Sequence, residues 1–251
     1  MSADHPPHSA PRPGSRAAAR ERTMARIIEL GNAQLREHGA AELSVREIAR
    51  GLGMVSSAIY RYVASRDELL TLLIVDAFED LAGTVENAVE QAAGEEGAGG
   101  PRARFLALGD AMSAWAVAHP ERWTLLYGTP VRGYAAPAER TNDAGTRVIR
   151  AVLAIAADAH AQGGPPGAET GRGAAGADLP PGVTALLEDH VDEFGIATPA
   201  HAAFEALTAW SSLVGAISVH VFGQLGPDAV AVGEQILAAQ VRRLADLIAP
   251  R

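Results

Sequence analysis

Apolar positions along the chain recur at helical spacing almost throughout. The first periodic segment runs from about Thr23 to His38, with Ile27, Gly31 and Leu35 on one face and Gly39 as its stop. Ser44 opens a short second segment in which Val45, Ile48, Ala49 and Leu52 share a face, closed by Gly51 and Gly53. A third, Ser56 to Val63, turns Ile59, Tyr62 and Val63 inward. Ser65-Arg66-Asp67-Glu68 is a capping box, Ser at the cap and Glu three residues on. It starts a long helix to about Ala93 with Leu70, Ile74, Ala77, Phe78, Leu81, Val85 and Ala88 in one stripe.

The remainder reads as helices over about Arg102 to Ala118, Pro120 to Gly128, Ala138 to Ala161, Val183 to Phe194, Thr198 to Leu225 and Pro227 to Ala249. Pro120 is a good first-turn residue, and Thr129 to Pro137 is irregular. No stretch alternates with period two well enough to predict a strand. The predicted fold is all-α: a three-helix N-terminal domain containing a helix-turn-helix, joined by the long helix to a larger helical domain. Its boundaries are a disordered basic arm over 1–20, the helix-turn-helix domain over 21–66, and a regulatory domain over 67–251. A flexible Gly/Pro/Ala-rich insert occupies 162–182 of the latter.

Composition narrows the chemistry. The 251 residues are enough to bury a core. Their lack of cysteine excludes disulfides, thiolate zinc sites and cysteine nucleophiles, and fits a reducing, cytoplasmic setting. No apolar signal segment follows Arg12 and Arg16. The 22 uncharged residues from Ala206 to Pro227 are long enough to span a bilayer. Ser211, Ser212, Ser218, His220 and Gln224 within them, and acids at both flanks, favour a buried helix and no membrane. Net charge is −9 but segregated: residues 1–70 carry ten Arg against eight acids, the rest eleven Arg against 22. A mildly basic end on an acidic body can meet nucleic acid with that end alone.

The second and third short helices, separated by a Gly-containing turn, form a helix-turn-helix arrangement. Ser56, Ser57, Ala58 and Arg61 are its outward set, and Ile59 and Val63 its anchor. Small Ser57 and Ala58 can approach thymine methyls, and Arg61 can reach guanine or phosphate. Tyr60, Tyr62 and Arg66 fall near the path of a phosphate backbone. Alternatively, the tyrosines are core aromatics with wet hydroxyls. The arginines then become surface charges, with Arg66 paired to Asp67 or Glu68.

Residues 44–70, SVREIARGLGMVSSAIYRYVASRDELL, resemble the DNA-binding region of the TetR family of bacterial transcriptional regulators. A second resemblance lies in His119-Pro120, Leu126-Tyr127-Gly128-Thr129-Pro130-Val131, Gly133-Tyr134 and the Trp210…Val221-Phe222-Gly223 helix. These are similar to a TetR branch with a Trp-His-Gly type regulatory domain. The resemblance implies a ligand-responsive homodimer, by default a repressor that a small-molecule inducer releases from a palindromic operator. It places Ser44 and Arg46 at phosphate, Ser56, Ser57, Ala58 and Arg61 at the groove, and Tyr60, Tyr62 and Arg66 at the backbone. Val55 is a departure: it stands where many members have Ser or Thr as the cap, and Ser56 could replace that contact by a one-residue shift.

In the last two predicted helices, Phe204, Leu207, Ser211, Val214, Ser218, Val221 and Leu225 step by three and four, as do Leu237, Val241, Leu244 and Ile248. Such seams can dimerise as a four-helix bundle or pack within one subunit. Phe105, Met112, Trp115, His119, Trp123, Tyr127 and Tyr134 cluster within 30 residues, in helices that line the inducer pocket of similar proteins. Core filling explains the same residues equally well.

Other signals lack a frame. Gly171 to Gly176 matches a dinucleotide fingerprint but follows no predicted strand. His190 and Glu193 lack a second His and read as an acidic helix face rather than a metal site. No nucleophile elbow organises the serines and histidines. The sequence therefore predicts no catalytic residues, cofactor or metal. An all-α enzyme, or an interaction protein keeping the helix-turn-helix as a structural unit, is the alternative.

Overall fold

The computed structural model describes residues 13–94, 99–163 and 179–250, with ten α-helices and no strand among them. The helices are α1 (Pro13–His38), α2 (Val45–Gly51), α3 (Ser56–Ile59), α4 (Arg66–Gly94), α5 (Pro101–Ala118), α6 (Pro120–Tyr127), α7 (Ala138–Ala161), α8 (Pro181–Glu193), α9 (Ala200–Val221) and α10 (Gly233–Ile248). Short 3-10 turns occupy Ala40–Glu42 and Pro227–Val232. The chain divides into two compact units. One comprises residues up to Leu73 together with Val131–Tyr134; the other comprises Ile74–Pro130 and the chain from Ala135 onward.

The first unit folds on Ile27 and Leu35 of α1, Val45, Ile48 and Ala49 of α2, Ile59 of α3, Val63, and Leu69, Leu70 and Leu73 of α4, all buried. The periodic faces read from the sequence are thus the faces that pack. Gly31 lets α1 approach α4: a Cβ there would lie 2.9 Å from Leu73 Cδ2. Ser44 caps α2, its Oγ accepting from the Glu47 N–H at 3.3 Å while its own N–H donates to Gln34 Oε1 at 2.9 Å. The α4 capping box forms in part: Ser65 Oγ accepts from the Glu68 N–H at 3.1 Å, and Glu68 reaches back to the N–H of Ala64, one residue before the cap.

Two expectations in this unit need correction. The basic arm predicted to be disordered over 1–20 is helical from Pro13, ten residues before Thr23; residues 1–12 lie outside the described residues. Ala and Arg are strong helix formers, so a segment with few apolar residues can still extend a helix already nucleated on the core. The third helix ends at Ile59 rather than Val63. Beyond it the ladder tightens to three-residue spacing, with the Arg61 N–H donating to Ala58 O at 3.3 Å and Tyr62 to Ile59 O at 2.8 Å.

The second unit is a helical bundle around α9. Ala202, Ala203, Ala206 and Ala209 give α9 a small-residue inner face, continued by Leu213 and Ile217. Against this core lie Phe105, Leu108 and Met112 of α5, Trp123 of α6, Val148, Val152 and Ile155 of α7, and Leu237, Val241 and Ala245 of α10. Helices α5 and α10 run antiparallel. Arg102 pairs with Asp246 at 2.7 Å, and at Gly109 a Cβ would lie 2.5 Å from Val241 Cγ1. The long final helix expected over 227–249 is interrupted. Gly226 takes φ +81°, Pro227 carries no N–H, and the 3-10 turn precedes α10 at Gly233. At Gly233 a Cβ would lie 2.5 Å from the His220 ring, so a larger residue there would need the His220 side chain to shift. Most of the expected 162–182 insert, including Gly171–Gly176, lies outside the described residues, and α8 begins at Pro181.

Candidate nucleic-acid interface

The helix-turn-helix is built on one left-handed residue. Gly53 takes φ +65°, which lets the Gly53 N–H donate to Arg50 O at 3.0 Å and the Met54 N–H to Ala49 O at 2.9 Å, ending α2 abruptly. The chain re-enters helix at Ser56. Ile59 and Val63 are fully buried and hold α3 to the unit. Ser56, Ser57, Tyr60 and Arg61 are exposed, Ala58 is half-buried, and Val55 is 71% exposed. On α2, Arg46 points to solvent beside half-buried Ser44. One surface therefore presents small polar groups, an exposed apolar side chain and two arginines, the mixture that groove contact requires.

Three residues of the predicted set behave distinctively. Val55 stands at the cap of α3 with no side-chain cap, and Ser56 does not take over that role. Tyr62 is half-buried beneath Arg20, whose guanidinium lies 5.1 Å from the ring centroid. Arg66 is engaged within the protein: its Nη2 donates to Ala40 O at 2.8 Å and to Ala41 O at 3.1 Å, tying α4 to the 3-10 turn.

The residues predicted to bind ligand divide. Phe105, Met112, Trp115, Trp123 and Tyr127 belong to the second unit's core, with half-buried His119 beside them. Ring centroids lie 4.5 Å apart for Trp123 and Tyr127 and 5.3 Å apart for Trp115 and His119. Burial pushes the Tyr127 hydroxyl above its ordinary pKa. Trp123 Nε1 donates to Ser218 Oγ at 3.1 Å. Tyr134 lies apart from the other six: it belongs to the first unit, where its hydroxyl lies 2.9 Å from Thr71 Oγ1. Thr71 already donates to Asp67 O at 2.9 Å, so Tyr134 is the donor. A hydrogen-bonding partner 63 positions away captures it, which proximity in sequence to the other aromatics could not show.

Two clefts, of 510 and 390 Å³, lie at the α9–α10 connection and between α5 and α10. None of the seven predicted ligand residues lines either; Asp110, Val117, His220, Glu234 and Leu237 are among the residues that do.

Sequence reasoning missed the polar centre of the second unit. Arg122 is buried on α6 and donates to Asp80 Oδ2 at 2.6 Å, Asp76 Oδ2 at 2.8 Å and the Asp76 carbonyl at 3.0 Å. Trp115 Nε1 donates to the same Asp80 oxygen at 2.9 Å, and the guanidinium lies 5.3 Å from the Trp115 ring. The signal was present: Asp76 and Asp80 sit four apart, beside the apolar stripe of α4, an unusual place for two acids.

The predicted dimer seam also divides. Leu237 and Val241 are buried within the subunit, so the α10 stripe is an internal face, with Leu244 half-buried beside it. On α9, Phe204 (38%), Leu207 (39%) and Ser211 are exposed, Val214, Ser218 and Val221 are half-buried, and Leu225 beyond the helix is exposed. By length and composition α9 could cross a membrane, but the same apolar surplus arises in a helix with one face in the core and the other an interface. His190 Nδ1–H donates to Leu186 O at 2.7 Å, and no group of metal ligands occurs among the described residues.

Comparison with known proteins agrees with this architecture. The family described as "Bacterial regulatory proteins, tetR family" matches residues 27–73, and "Tetracyclin repressor-like, C-terminal domain" matches residues 105–244. The HTH-type transcriptional regulator Rv1816 of Mycobacterium tuberculosis is 44% identical over 240 residues, covering 95% of this chain and 97% of that protein. Among solved structures, the protein SCO4313 is 28% identical with a TM-score of 0.68, covering 94% of this chain and 98% of that one. A Rhodococcus sp. RHA1 protein of unknown function is 26% identical with a TM-score of 0.59, covering 89% and 95%.

Proposed function

This chain belongs to the TetR family of DNA-binding transcriptional regulators, and on that premise we propose that it is a homodimeric, cytoplasmic repressor released from a palindromic operator by a small molecule. The exposed face of the helix-turn-helix carries the reading. Ser56, Ser57 and Ala58 meet base edges, Val55 contacts the groove floor, and Arg61 reaches guanine or phosphate. Ser44, Arg46, Tyr60 and Tyr62 position the unit on the backbone. Arg66 acts one step removed, by holding the α4 entry against the Ala40–Glu42 turn.

A palindrome needs two heads, and the exposed apolar stripe of α9 supports self-association through Phe204, Leu207, Ser211 and Leu225. The aromatic core around Trp115, His119, Trp123 and Tyr127 supports a small-molecule site whose walls open when a ligand enters. Helix α4 starts in the first unit and continues into the second, so a ligand-driven displacement of its second half changes the separation of the two heads.

Fluorescence anisotropy with DNA flanking the protein's own gene, across a salt series, tests the proposal. Binding to one short palindrome at least ~10³-fold tighter than to random DNA is expected. Equal, sequence-blind binding overturns the operator reading. The same labelled duplex then screens small molecules for release, and a dimer that no compound class displaces overturns the inducible reading.

A further inference from the structure

Helix α1 is longer than the core it serves. Among the side chains described from Arg16 onward, the first fully buried one is Ile27, and from Arg16 to Arg26 every side chain is exposed or only half-buried. This stretch carries Arg16, Arg20, Arg22 and Arg26 against one acid, Glu21. Arg26 is already paired with Glu29. Arg20 is clipped to the end of the recognition motif: it lies over the Tyr62 ring and its Nη1 donates to Arg61 O at 3.4 Å. Arg16 sits one turn earlier on the same helix face, about 6 Å further along the axis. It is exposed and has no hydrogen-bond or ion-pair partner among the described residues. Glu21 lies about 100° round the helix from Arg20, off that face.

We propose that the N-terminal extension of α1 is a second DNA-contacting element, in which Arg16 binds a backbone phosphate flanking the bases read by α3. Arg20 positions it, by fixing the extension to Tyr62 and the Arg61 carbonyl. The inference rests on the DNA-reading surface proposed above and enlarges its footprint. An exposed cation with no partner among the described residues, on the face that leads to Tyr62 and Arg61, is complementary to phosphate. Such a contact carries no base information.

The test is the slope of log affinity against log salt concentration for the full chain. Two duplexes are used: one selected from a random pool by the protein, and its scrambled counterpart. Each phosphate contact contributes about 0.9 to the slope, so Arg16→Ala is expected to lower it by about 0.9 per subunit bound, on both duplexes, with their affinity ratio unchanged. Arg16→Lys keeps the slope. Arg22→Ala removes the same charge from another face and is expected to leave it intact. An unchanged slope in Arg16→Ala, or an equal fall in Arg22→Ala, overturns the proposal. Equal wild-type affinity for both duplexes would instead sink the operator reading, while the slope comparison still decides Arg16.

Discussion

Arg66 occupies a position where a backbone-contacting arginine is expected in similar proteins, yet its guanidinium donates to the carbonyls of Ala40 and Ala41. Removing it leaves two acceptors of the 3-10 turn partly unsatisfied. Arg66→Ala should therefore cost about 1–2 kcal/mol in denaturant unfolding, discounted for partial exposure, while the salt slope of DNA binding stays put. A slope that falls with stability intact would return Arg66 to the phosphate. Asp110 offers a pH test. Burial raises its pKa above the ordinary carboxylate value, against a smaller opposing pull from Arg242. With the folded pKa above the unfolded one, its favourable contribution is complete at acid pH and is lost as pH rises through the folded value. Asp110→Asn should gain on wild type at neutral pH and lose that gain below the unfolded aspartate pKa. The residue scale was the least legible in the sequence. Spacing identified Ile59 and Val63 as anchors, but the partners of Arg66, Tyr134 and Arg122 come from chain segments 25 to 63 residues distant.

At the scale of elements, periodicity and caps fixed most helices to within a few residues, because the signals are local: Ser44 and Ser65 at caps, Gly39 and Gly53 at stops, Pro120 in a first turn. The misreadings have equally definite causes. The start of α1 was hidden because nothing apolar marks it, and the 3-10 turn over Pro227–Val232 because Pro227 reads equally well as the first residue of an α-helix. Helix α6 is fastened to α4 by Arg122 with Asp76 and Asp80. Arg122→Ala should cost about 2–3 kcal/mol, less than the ~3–5 of a fully buried pair because Asp80 remains about half in water. Arg122→Met combined with Asp76→Asn and Asp80→Asn should recover much of that loss, which denaturant titration of the three forms would show. Where α5 meets α10, Gly109→Ala places a methyl against Val241 and should cost about 1–3 kcal/mol by the same measurement.

For the whole molecule, the sequence already indicated an all-α chain with a basic reading head and an acidic remainder. Which stripe of the last two helices faces a partner could not be read, since a seam stepping by three and four looks the same inside a subunit as between two. On α10, Leu237 and Val241 are buried within the subunit, whereas on α9 Phe204 and Leu207 are exposed. Phe204→Glu with Leu207→Glu should therefore halve the mass measured by light scattering and weaken operator binding together; an unchanged dimer would move the interface elsewhere.

The two units also differ in colour. Trp115, Trp123 and Trp210 all belong to the second unit, whereas the first holds Tyr60, Tyr62 and Tyr134 but no indole. Light absorbed only by indole therefore reports on the second unit's bundle and is blind to the first unit. A quench or blue shift on adding a compound locates its effect in that bundle before any operator is known. Helical ellipticity that melts ahead of the indole emission would show the DNA-reading unit unfolding by itself.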